Sequence, residues 1–190
     1  MTLTVKSQPA LAARLAGLAR GVRGLALLAV PLLLAVPPLL LWAPEVLLDL
    51  GLGQTSGLSL MHLSQQPLGS AGRARMAAAS LPPVLLGLAL LWQLWSLFGE
   101  YLRGAVFSPR ALACLRRFGA LLLALSVAQP LSQTLMSVAV SWDNPPGQRV
   151  VMLTLSSNDY ALVLGALVFM AIARVMTEAA RVAEENEGFV

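Results

Sequence analysis

The sequence predicts an all-α integral membrane protein of four transmembrane helices with both termini on the cytoplasmic side. Three observations carry this reading. Residues 24–43, 76–99 and 118–142 contain no charged side chain, and each interval is at least 20 residues long. About 20 helical residues cross roughly 30 Å of hydrocarbon. Apolar residues make up 57% of the chain and charged residues 12%, about half the charged share of a soluble domain. The basic residues collect at the edges of the apolar intervals, which is how membrane proteins fix their orientation.

The chain divides into a cytoplasmic basic arm (1–23), span 1 (24–43), an outer loop (44–77), span 2 (78–98), a cytoplasmic hinge (99–117), span 3 (118–141), a second outer loop (142–160), span 4 (161–177) and a cytoplasmic tail (178–190). All of it forms one membrane domain, expected to pack as a four-helix bundle in the lipid bilayer.

The arm holds Lys6, Arg14, Arg20 and Arg23 and no acid. The apolar run behind it is too long for a cleaved signal peptide and is read as an uncleaved signal anchor. Span 1 contains Pro31, Pro37 and Pro38. Each removes a backbone donor, so neighbouring helices are expected to satisfy the freed carbonyls.

The first outer loop carries Gly51-Leu52-Gly53-Gln54-Thr55-Ser56-Gly57. That run lacks the lysine and the following serine or threonine of a phosphate loop, so it is read as a flexible connection. Leu58 to Leu63 alternates, as does Val150 to Ser156, and both lie on one side of the membrane. The expectation is that they pair into a small extracytoplasmic sheet. His62 is the chain's sole histidine and Cys114 its sole cysteine. They are placed on opposite sides of the membrane and cannot supply a zinc site, so no metal or cofactor is expected.

Span 2 ends with Trp92 and Trp95, suited to an interface. In the hinge, Ser108 followed by Pro109 is a helix-start signal. Arg103, Arg110, Arg116 and Arg117 surround it against one acid, Glu100. Span 3 places Ser126, Gln129, Gln133, Ser137 and Ser141 on one face at spacings of three and four. Such a stripe suits interhelical hydrogen bonding, worth about 0.6 to 2 kcal/mol per contact, or a polar track for a small solute. Asn144-Pro145-Pro146-Gly147 is turn chemistry. Only 14 charge-free residues separate Asp159 from Arg174. Arginine snorkels to the headgroups, which lengthens span 4 to Thr177. Ser156 or Ser157 is expected to cap its helix. In the tail, Arg174, Glu178, Arg181 and Glu185 are spaced for charge pairs on a helix continuing into water.

On this map ten Lys and Arg face the cytoplasm and three, Arg73, Arg75 and Arg149, face outward. The net charge of +4 is therefore a topology signal. It does not imply direct nucleic-acid binding, since no basic run interleaved with aromatics occurs. No buried carboxylate pair, helical histidine motif or serine–histidine pair is in register, so an enzyme is not expected.

Two further segments stand out: Gly104-Ala105-Val106-Phe107-Ser108 followed by Leu115-Arg116-Arg117-Phe118-Gly119, and the Ala-Arg-Val-Ala-Glu-Glu-Asn-Glu pattern at 180–187. In these the chain resembles the membrane family catalogued as domain of unknown function 2975. The 144–147 turn is similar to the family's proteobacterial branch. The resemblance implies a four-span bacterial inner-membrane protein without an assigned activity, often encoded beside a small helix-turn-helix regulator. It supplies no catalytic residues. Many members end in an acidic stretch followed by Leu-Thr-Val, whereas this chain ends Glu187-Gly188-Phe189-Val190.

Two functional readings follow. In the first, Arg103, Arg110, Arg116, Arg117, Glu184 and Glu185 bind a partner, either a small helix-turn-helix regulator or another membrane protein. In the second, Ser126, Gln129, Gln133 and Ser137 line the wet cavity of a small transporter or channel subunit, in a homo-oligomer.

Overall fold

The computed structural model describes residues 9–43, 46, 54–55, 58–59, 68–103 and 108–187. Four helices dominate: α1 (Pro9–Trp42), α2 (Ser70–Leu102), α3 (Pro109–Ser141) and α4 (Ser157–Glu187). They run 34, 33, 33 and 31 residues. At 1.5 Å per residue each is about 45 to 50 Å long, well beyond the roughly 30 Å hydrocarbon core. All four contain a stretch long and apolar enough to cross a membrane. The fourth span, short when counted from its charges, is part of a helix that continues ten residues past Thr177. The helical tail is as expected from its charge spacing. α1 stays helical through Pro31, Pro37 and Pro38.

The helices pack in chain order, α1 on α2, α2 on α3 and α3 on α4. Among the described residues, no other helix pair forms an extensive interface. The four helices of the expected bundle therefore form an open array, with α2 and α3 central and α1 and α4 on the flanks. Closure would require α1 to meet α4, and connections between sequential antiparallel helices enforce contact only between neighbours.

Two apolar clusters hold the array. At the end bearing the longer connections, Leu40 of α1 meets Met76 and Ala77 of α2 and Ala139 and Val140 of α3. At the hinge end, Leu97 of α2 meets Ala111 and Leu115 of α3 and Ala173 of α4. Small residues let backbones approach closely, the usual device where lipid supplies no hydrophobic drive between helices. Gly119 is the tightest case: an added Cβ would lie 3.3 Å from the Ala166 carbonyl oxygen on α4. Beside it, the Phe118 and Phe169 rings meet edge to face with centroids 4.9 Å apart. Leucines such as Leu25, Leu28 and Leu32 stand exposed along α1, as lipid-facing side chains should.

The caps follow the sequence. Ser108 Oγ accepts the amide of Ala111 at 3.1 Å, with Pro109 at the first helical position. At α4, the Ser156 amide donates to Asp159 Oδ2 at 2.7 Å and the Asp159 amide donates to Ser156 Oγ at 3.3 Å. This reciprocal arrangement is a capping box with aspartate in the acidic position. Gly147 takes φ +89° in the turn, and the Gln148 amide donates to Pro145 O at 3.0 Å, as in a type II turn.

The expected extracytoplasmic sheet is corrected within the described residues. Leu58–Ser59 (β2) pairs antiparallel with Gln54–Thr55 (β1), not with residues 150–156. Residues 60–63 and His62 lie outside the described residues. Residues 150–155 form no strand. Instead the Val150 amide donates to Ser141 Oγ at 3.1 Å and the Met152 amide to Ser137 Oγ at 3.0 Å. The reason is geometric. Four helical residues rise about 6 Å, and two extended residues advance about 6.6 Å. Serines one turn apart on α3 thus match alternate amides of an extended segment running back along the helix.

Candidate functional site

The hinge arginines are distributed over several adjoining clefts. Arg103 caps the end of α2, and its guanidinium pairs with Glu100 at 2.8 Å. Arg110, Arg116 and Arg117 are exposed on the first turns of α3. At about 100° per residue, positions seven apart share a face and adjacent ones diverge. Accordingly, Arg110 and Arg117 line a cleft of about 360 Å³ with Ser96, Glu100 and Cys114. Arg116 lines a second cleft of about 400 Å³ between α3 and α4, with Leu112, Thr177 and Arg181. Among the described residues, Arg110, Arg116 and Arg117 have no carboxylate partner. Gly104–Phe107, which carry part of the family resemblance, lie outside the described residues.

The acidic tail is engaged on its own helix. Arg181 bonds Glu178 at 2.5 Å and also bonds Glu185 one turn further on. The Glu184 side chain and residues 188–190 lie outside the described residues.

On α3 the polar face is turned to local work. Ser126 is buried and its hydroxyl donates to Leu123 O at 2.7 Å. Ser137, fully buried, donates to Thr134 O at 2.8 Å while accepting the Met152 amide. Gln129 and Gln133 are half-buried, and Gln133 Oε1 is buried with no partner among the described residues. The bond between helices comes from Ser132, outside the stripe read from the sequence. Its hydroxyl donates to Ala79 O of α2 at 2.7 Å. A search for carbonyls left free by proline, here at Pro83, is the signal that would have found it.

Arg73 and Arg75, which depart from the charge count, have structural partners. Arg75 Nη2 bonds both carboxylate oxygens of Asp143, at 3.0 and 2.8 Å. Arg73 Nη1 donates to the Trp42 carbonyl at 3.4 Å, at the negative end of α1. Arg75 and Arg149 also approach the Trp142 ring, at 5.8 and 5.3 Å from its centroid.

A feature missed in the sequence lies between α1 and α2. The Arg23 guanidinium stacks over Trp95, 3.8 Å from the ring centroid. Above it runs an apolar groove of about 510 Å³ lined by Ala26, Val30, Leu88, Leu91 and Trp92. Arg23 and Trp95 were each legible as boundary residues, but their pairing needs the register of two helices.

Among the described residues, no three His, Cys, Asp or Glu side chains converge as a metal site would require. Four antiparallel helices of membrane-crossing length and apolar character define a multi-pass membrane protein. The family described as protein of unknown function (DUF2975) matches residues 34–188, and the chain belongs to that family. Searches of curated proteins and of solved structures found no match.

Proposed function

We propose that the protein is a non-enzymatic inner-membrane protein that binds a partner through its cytoplasmic hinge and tail. The observation that carries this reading is the charge at the start of α3 that has no carboxylate partner among the described residues. Arg110, Arg116 and Arg117 are exposed beside two clefts, while two tail carboxylates are already held by Arg181. Unpaired guanidiniums next to concave surface favour an acidic protein segment. They steer its approach and bind its carboxylates in forked geometry. A small helix-turn-helix regulator or a second membrane protein bearing such a segment fits. Ten basic residues at the hinge end against three at the other support an orientation with both termini in the cytoplasm.

The serine bonds on α3 support a packing role for the polar face rather than a solute track, because those hydroxyls are already spent on protein carbonyls and amides. The test of the partner reading is affinity purification from the native membrane with Arg116→Glu and Arg117→Glu combined. With insertion verified, the proposal expects the acidic partner to be lost from the eluate. Unchanged recovery overturns it.

A further inference from the structure

We infer that the groove between α1 and α2 is a binding site for an anionic phospholipid. It does not rest on the partner reading, and its headgroup cavity shares only Ser96 and Glu100 with the cleft of Arg110 and Arg117. Arg23 is the last basic residue before the apolar run of α1. Its guanidinium lies over the Trp95 ring of the antiparallel neighbour, with Cζ 3.8 Å from the centroid. Its Nε is buried and has no hydrogen-bond partner among the described residues. Among those residues it also forms no ion pair. A guanidinium held in place at a cavity wall, with no carboxylate partner among the described residues, is a preorganised anion contact.

The surroundings supply the rest of a headgroup site. Arg23 lines a cavity of about 410 Å³ with Trp95, Ser96, Gly99, Glu100 and Arg103. Glu100 pairs with Arg103, and Arg23 has no carboxylate partner of its own among the described residues. Arginine binds phosphate oxygens through its fork of N–H groups. Trp92 and Trp95 line this cavity and also the apolar groove of about 510 Å³ beyond it. The two spaces therefore adjoin, one positively charged and the other walled by alanine, valine, leucine and indole. Both volumes lie within the range of small-ligand sites.

An occupant must carry a negative charge at one end and hydrocarbon at the other. The position of the site selects the source. Arg23 sits where α1 passes from its basic arm into its apolar run, at headgroup level, where anionic lipids meet basic side chains. A zwitterionic lipid brings an ammonium against the guanidinium and loses the advantage.

The experiment uses the full chain in detergent micelles with Trp42→Phe and Trp142→Phe, so that Trp92 and Trp95 are the only indoles. Acyl-brominated phosphatidylglycerol is titrated as quencher, against phosphatidylcholine with the same chains and with inorganic phosphate as competitor. Phosphatidylglycerol should half-saturate at a concentration about fivefold lower than phosphatidylcholine, the effect of one basic residue near a membrane surface. Arg23→Gln should bring the two curves together, while Arg116→Gln, which removes the same charge from α3, leaves them apart. Val30→Phe, which fills the groove and keeps the charge, should weaken quenching by both lipids and carries the test if Arg23→Gln does not fold. Equal curves in the parent protein overturn the inference, as does an unchanged separation in Arg23→Gln or unchanged quenching in Val30→Phe. Displacement of phosphatidylglycerol by millimolar phosphate assigns the pocket to a free anion and overturns the lipid reading.

Discussion

Ser132 of α3 donates its hydroxyl to the carbonyl of Ala79 on α2, at 2.7 Å, and that carbonyl is the one Pro83 leaves without a helical amide. In a bilayer no water replaces the missing donor, so a neighbouring helix must supply it. Both residues belong to the central helix pair. Ser132→Ala should therefore cost about 1 kcal/mol, in the range measured for hydrogen bonds between membrane helices. Restoring the amide with Pro83→Ala should make the serine largely redundant. A double-mutant cycle of unfolding in mixed micelles measures this, and the cost of Ser132→Ala should fall by at least half in the Pro83→Ala background.

Gly119 sets how closely α3 approaches α4. An added Cβ would sit 2.8 Å from Met170 Cγ, 3.2 Å from the Met170 amide nitrogen and 3.3 Å from the Ala166 oxygen. The methionine side chain can swing aside, but the backbone atoms cannot without moving the helix. Gly119→Val should destabilise by about 1 to 3 kcal/mol, as overpacking does. Met170→Ala in that background should recover only part of the loss. Thermal unfolding in detergent, followed by helical circular dichroism, reads both effects.

The serine tether at the other end of α3 has a local signature. Ser137 and Ser141 accept the amides of Met152 and Val150. Ser137→Ala should expose the Met152 amide and speed its hydrogen exchange by roughly tenfold, the equivalent of losing one hydrogen bond of about 1.4 kcal/mol. The Val150 amide should change much less, since Ser141 still holds it. Mass-spectrometric exchange over the 148–155 peptides distinguishes the two. Equal acceleration along the whole segment would show that one anchor controls it.

What the sequence disclosed follows a physical division. Features set by near neighbours were legible. The charge-free intervals marked the membrane helices, and Ser108-Pro109 and Ser156 through Asp159 marked their starts, because capping is decided within four residues. Alternation in residues 150–156 suggested a strand, and the segment forms none. The alternation carried no information about the partner, and the serine ladder of α3 supplied acceptors at a matching repeat. Arg116 and Arg117 are adjacent in the sequence, but the helical rotation sends them to different clefts. Arg23 on Trp95 and Ser132 on Ala79 depend on the register between helices, which no single-helix pattern encodes. The open array was hidden for the same reason.

The final prediction concerns orientation, and the test of the partner reading depends on it. Gly147 lies in an exposed turn, where insertions disturb little packing. Alkaline phosphatase placed after Gly147 should be active and placed after Val190 inactive, because it folds only outside the cytoplasm; the reverse pattern would invert the topology. The charge-reversal variant removes two of the ten basic residues at the hinge end, leaving eight against three. Orientation follows the Lys and Arg bias, to which added acids contribute little. Arg116→Glu with Arg117→Glu should therefore keep the same reporter pattern as the parent. If it does, loss of the partner reflects the surface at the start of α3 rather than inverted insertion.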